Sequence, residues 1–252
     1  MLKHLFAVTC CLLFVIKTAA GVEPENRKYV ETVINAFKAG DRTAIARLVK
    51  YPVYRDNPVP SINTEQELLQ RFDEVFDAAL IQKIAQSDPD KDWGEMGWRG
   101  IIFDSGQVWL EMDGTISKVN HETAIGAAVK EKLIARLTQE LPTELQTFTR
   151  PVLDWQTKKF RVRVDDMGPD YRYASWSLKK NPTDKPDLVL HKGKYVRDGS
   201  GGNHHYDFRS GKYLYQVHVI MIGEDDAIGA LVVSKGDKTV VNERIYKKWS
   251  KP

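Results

Sequence analysis

The stretch Arg197–Tyr215, RDGSGGNHHYDFRSGKYLY, constrains the fold of this chain more than any other. Gly199, Gly201 and Gly202 take positive φ at little steric expense and suit a tight connection. From Asn203 to Arg209 the side chains alternate, with His204, Tyr206 and Phe208 on one face and His205, Asp207 and Arg209 on the other. Ser210 and Gly211 form a two-residue break, and Lys212–Met221 reads as a second, longer strand. Similar runs surround this hairpin. Lys159–Asp165 and Tyr171–Ser177 alternate cleanly, Leu188–His191 and Lys194–Val196 flank Lys192-Gly193 as an expected hairpin, and Ala227–Ser234 and Thr239–Ile245 flank Lys235–Lys238. About eight strands with turn signals roughly every 8–12 residues predict an antiparallel sandwich or open barrel over residues 152–252.

The preceding half is helical first. Val30, Val33, Ile34 and Phe37 recur at helical spacing in a helix from Glu23 to Lys38. Gly40 is placed as its stop and Asp41 as the N-cap of a second helix carrying Ile45, Leu48 and Val49. Pro52, Pro58 and Pro60 keep the next residues extended or turning. Thr64–Glu67 fits a capping box before a helical stretch to about Gln86, with a break near Asp77. After the polar loop Ser87–Gly94 come short strands at Trp98–Phe103, Gln107–Met112 and Gly114–Val119. Thr123–Leu141 carries an apolar stripe of Ile125, Val129, Leu133, Ile134, Leu137 and Leu141, a helix read with the residues to Pro151 as the connection between halves.

Two N-terminal helices joined through AFKAGDRTAIARLV, an extended segment, a further helix and then consecutive strands resemble the NTF2-like (cystatin-like cone) superfamily over Glu25–Val119. The resemblance implies a curved antiparallel sheet wrapped around helices with a cone-shaped cavity, in a superfamily of isomerases, dehydratases and non-catalytic binding or accessory domains. It transfers no catalytic residue to a position of this chain.

Met1–Ala20 reads as an export signal: Lys3 supplies a positive start, Leu5–Ile16 an apolar core, and Thr18-Ala19-Ala20 small residues for cleavage. Both cysteines of the chain, Cys10 and Cys11, fall in that segment. The processed chain is therefore expected to lack disulfides, thiolate catalysis and cysteine-ligated zinc. Loss of Lys3 and Lys17 lowers the net charge from +3 by two, to +1, so nothing predicts a polyanionic or nucleic-acid partner. A composition of 42% hydrophobic and 28% charged residues is that of a globular protein able to bury a core.

Several constellations invite chemistry. Asp198–Gly202 resembles the serine-protease motif with its first residues transposed, and a plain glycine-rich turn is the simpler reading. His205 and Asp207 share a strand face, but two ligands make no metal site unless His191 or His218 completes it, so no metal or other cofactor is assigned. Asp88, Asp90 and Asp92 have the opening spacing of a calcium loop, whose closing glutamate is replaced by Arg99. Tyr171 with Tyr173 and Tyr213 with Tyr215 predict a tyrosine-bearing sheet surface. The candidate binding residues are Tyr171, Tyr173, His205, Asp207, Tyr213 and Tyr215.

The expectation is thus an exported α+β protein in four parts: a leader over 1–20, an NTF2-like module over 21–122, a connection over 123–151, and an antiparallel β domain over 152–252. The expected function is non-catalytic binding of a protein, peptide or glycan in the periplasm or outside the cell, including an inhibitor- or immunity-like role. The alternative is a hydrolase or isomerase using Tyr54, Asp56, Asp104 and His121, or His205 and Asp207. A third is a structural, oligomer-forming role through an exposed sheet edge.

Overall fold

A computed structural model describes residues 21–180 and 183–249. The leader and its cysteines lie outside the described residues. The described residues form two compact units: those up to Val53 with Asn63–Thr123, and Tyr54–Ile62 with those from Ala124 onward.

The first unit follows its capping signals. Helix α1 (Pro24–Ala39) buries Val30, Val33, Ile34 and Phe37 and ends at Gly40, whose φ of 64° is the left-handed cap. Asp41 caps α2 (Arg42–Arg47) by accepting the N–H groups of Thr43 and Ala44. Thr64 caps α3 (Glu65–Gln70), and the returning Glu67 carboxylate accepts from the N–H of Asn63 at 2.7 Å, one residue before the cap. Asp77 breaks the helical stretch and caps α4 (Ala78–Ala85). Caps of this kind contribute about 1 kcal/mol each, enough to set where these short helices begin.

Strands β1 (Trp93–Glu95), β2 (Ile101–Phe103), β3 (Val108–Leu110) and β4 (Ile116–Val119) pair antiparallel in chain order. β1 overlaps the end of the stretch read as loop, and its three residues are too few for alternation to register. The strand expected from Trp98 starts at Ile101, because Gly97–Arg99 forms a helical turn that leaves Trp98 exposed.

The second unit is an antiparallel sheet with one long helix, α5 (Ala124–Gln139). Its strands are β5 (Arg150–Gln156), β6 (Phe160–Asp166), β7 (Tyr171–Ser177), β8 (Leu188–Arg197), β9 (His204–Ser210), β10 (Tyr213–Val219), β11 (Gly229–Lys235), β12 (Lys238–Ile245) and β13 (Lys247–Lys248). β5 to β12 pair in sequence, and β13 returns to β5 through Lys247–Gln156 and Lys248–Trp155. The sheet is thereby a nearly closed barrel. Leu153, Trp155, Val162, Val164, Tyr173, Tyr206, Phe208, Val217, Leu231 and Ile245 fill its interior. Each such side chain contributes about 1.5–3 kcal/mol on burial.

One expectation fails in this unit. Lys192-Gly193 is no hairpin turn: β8 runs through it, with Lys192 at φ 60° and a register shift against β7 that marks a bulge. Glycine is required at 193 because a Cβ there would stand 2.2 Å from the buried Phe208 ring. The apolar stripe of α5 is half-buried at Val129, Leu133, Ile134 and Leu137 and buried at Leu141. Ile125 is 53% exposed, and the helix meets the sheet's outer core near its C-terminal end, through Leu137 and the following Leu141.

Candidate binding groove and histidine cluster

Strand alternation sends one set of side chains into the barrel and the other outward, and the outward set meets two different surroundings. On β5–β7 it is covered. Leu141, Leu145 and Phe148 pack there on Ala174 and Trp176, above Asp154, Arg161, Arg163, Asp165 and Arg172, none more than 6% exposed. These charges pair closely with one another, and Arg172 Nε alone among their buried side-chain nitrogens and oxygens has neither a hydrogen-bond nor an ion-pair partner. Arg161 donates to both Asp154 oxygens at 2.9 and 2.6 Å, and Arg163 Nη1 reaches Asp154 at 3.2 Å. Arg163 Nε and Arg172 Nη2 converge on Asp165 Oδ2 at 3.1 and 2.7 Å. Arg172 also donates to the Leu145 and Thr147 carbonyls at 2.7 and 3.1 Å, fastening the covering segment to the sheet.

At the edge of this cover lies a groove of about 510 Å³. Leu133 and Leu137, four residues apart and so on one face of α5, form an apolar wall with Leu141 just past its end. Val59 and Trp249 also line it. Arg161 stacks its guanidinium over the Trp249 ring at 5.1 Å and over Trp176 at 4.6 Å. Arg136, Glu140 and Lys248 add charge to an apolar pocket, a combination that suits ligand binding.

On β8–β10 the outward face is more open, with Asp207 and His218 half-buried although His205 itself is buried. The register sets His218 directly across from His205, their rings 4.8 Å apart. Asp198, just past β8, approaches His205 Nδ1 with both oxygens at 2.8 and 3.0 Å and His218 Nδ1 at 3.6 Å. Its N–H donates to the Asn203 carbonyl across the glycine-rich loop, and the Asn203 side chain accepts from the N–H groups of Met221 and Ile222. Asp207 stands 3.3 Å from His205 Nε2 and accepts from Gln216 Nε2 at 3.0 Å. Ala230 faces His218 across the ladder, and its small side chain helps leave a cavity of about 320 Å³. Burial works against the Asp198 carboxylate, yet the hydrogen bond and charge of His205, with His218 behind, hold it below its ordinary value. Burial, helped by the charge of His205, pushes His218 below the usual histidine value. One ligand atom from each of Asp198, His205 and His218 lies within 4.8 Å of the others, the geometry of residues able to hold a metal.

The residues expected to bind divide accordingly. His205 and Asp207 are neighbours in this cluster. Tyr173 is buried in the barrel against Phe208 and Tyr215 at 5.5 and 5.7 Å, and burial raises its phenol to about 12. Tyr171 packs on Tyr206 at 4.7 Å, while Tyr213 is 37% exposed with Lys235 over its ring. In the first unit His121 Nε2 lies 2.9 Å from Asp77, and Asp104 pairs with Lys83. Tyr54 and Asp56 belong to the second unit. Asp88 and Asp92 accept N–H groups of their own loop, and Asp90 pairs with Arg27. Sequence reasoning missed Asp198 as a partner of the histidines, and missed the groove altogether. Comparison with protein-family models, curated proteins and solved structures finds no match for this chain.

Proposed function

We propose that the chain is an exported, non-catalytic binding or accessory protein of the cell envelope or extracellular space, and that its partner is a protein or peptide. The groove carries this reading. Three leucines along one wall, Val59 and Trp249 suit an apolar anchor side chain, and Arg136 and Lys248 suit an acidic neighbour on the partner. A glycan is less well served, because the Trp249 ring is already stacked with Arg161. The first unit is proposed as a reduced NTF2-like module, since helices precede consecutive antiparallel strands in the implied order.

The test is affinity capture from envelope and secreted fractions of the chain's own source, read by mass spectrometry. A stoichiometric partner retained by Tyr213→Ala and lost by Leu133→Asp/Arg136→Glu supports the groove. A partner indifferent to the double substitution places recognition elsewhere, and no partner at all counts against the reading.

A second reading, a hydrolase or isomerase, has the His121–Asp77 pair behind it. Asp77 is also the N-cap of α4, which accounts for its position without chemistry.

A further inference from the structure

We infer that Asp198, His205 and His218 form a binding site for a divalent transition-metal ion of the zinc class on the outer face of the second unit's sheet. Their ligand atoms lie within 4.8 Å of one another. In a tetrahedral zinc site with zinc–ligand distances near 2 Å, ligand atoms stand about 3.3 Å apart. Binding therefore requires side-chain rotation that draws the three ligand atoms together.

The surroundings are those of a prepared site. The two imidazoles are fixed opposite each other by the β9–β10 register. Asp198 is anchored at the base of its loop by its own N–H, and Asn203 ties that loop to Met221 and Ile222. Asp207 stands against Nε2 of His205, the nitrogen that does not face Asp198, and Gln216 orients Asp207. A carboxylate on the far ring nitrogen fixes the tautomer and leaves the Nδ1 lone pair for an ion. The adjoining cavity, lined by His218 and Asn242, gives room for a water as fourth ligand. Two imidazoles and a carboxylate are a donor set suited to zinc and its neighbours.

The competing arrangement is His205 held between Asp198 and Asp207 with no ion involved. Titration of the tag-free chain, expressed from the full-length sequence, with Zn²⁺ by calorimetry and with Co²⁺ by visible absorption decides between them. The expected result is one ion per chain. Affinity should fall at least tenfold in His218→Ala and Asp198→Asn and about tenfold in Asp207→Asn, with changes under twofold in His191→Ala and His204→Ala. Zn²⁺ should raise the melting temperature of the unsubstituted chain but not of His218→Ala. Circular dichroism of the metal-free variants checks folding, and the near-isosteric Asp198→Asn carries the test if His218→Ala does not fold. Absence of saturable binding, binding that survives both His218→Ala and Asp198→Asn, or equal loss in His204→Ala would overturn the site.

Discussion

The outer faces of β5–β7 and of β8–β10 are built by the same alternation over the same barrel core, yet they hold charge in opposite ways. Beneath the Leu141–Phe148 cover, Asp154, Arg161, Arg163, Asp165 and Arg172 pair closely with one another and with backbone carbonyls. On the open side Asp198, His205, Asp207 and His218 converge beside a cavity. Cover turns charged side chains into a brace, and its absence leaves them available to a ligand. The difference lies in what the rest of the chain lays over each face, since both strand sets alternate alike.

The largest effect expected from this contrast is at Asp165, which is 0% exposed and faces two arginines. Asp165→Ala removes the carboxylate that Arg163 and Arg172 share, leaving them only Asp154 and two backbone carbonyls in the interior. It should lower unfolding free energy by about 3–5 kcal/mol in urea denaturation. Asp207→Ala, the corresponding cut on the open face, should change it by under about 1 kcal/mol. Equal losses would erase the distinction between the faces.

Gly193→Ala comes next. Its Cβ must displace the Phe208 ring, an overpacking that costs about 1–3 kcal/mol. A neutral outcome would mean that the bulge in β8 yields and that the interior is softer than its packing implies.

A smaller effect tests whether one core underlies both faces. Tyr173 lies under the covered side and Tyr206 under the open side, and burial raises both phenols, Tyr173 to about 12. An unfolded tyrosine ionises near pH 10. Their contribution to stability is therefore complete below pH 10 and is lost as pH rises through the folded values, because only the unfolded chain releases those protons between the two. Urea midpoints should fall above pH 10, and Tyr173→Phe and Tyr206→Phe should each flatten that fall. Flattening by one alone would show that the interior is not shared.

Much of this architecture was legible in the chain because local chemistry decides it. Gly40, Asp41, Thr64 and Asp77 mark helix ends by backbone conformation and side-chain acceptors, which depend on a few neighbours only. The barrel's strands announce themselves by alternation, although a barrel rather than a sandwich depends on β13 returning to β5 across some ninety residues, a distance no local pattern encodes. The histidine cluster was half legible. A break at Ser210-Gly211 would set His205 against Gln216; the observed pairing of Ser210 with Tyr213 moves the turn by one residue and brings His218 opposite. Asp198 was hidden in the glycine-rich turn, whose path back toward the strands has no sequence signature. The groove was invisible because it depends on where α5 ends against the sheet, and Lys192-Gly193 misled because a bulge and a turn use the same residues.

The binding role of the groove is tested most directly by placing a photo-crosslinking residue at Leu133, and separately at the exposed Val240, in the chain produced by its own cells. A discrete adduct of one partner from position 133 and none from 240 is the expected result. Adducts equally from both positions, or from neither, would contradict a partner seated against the leucines that follow one another along this helix.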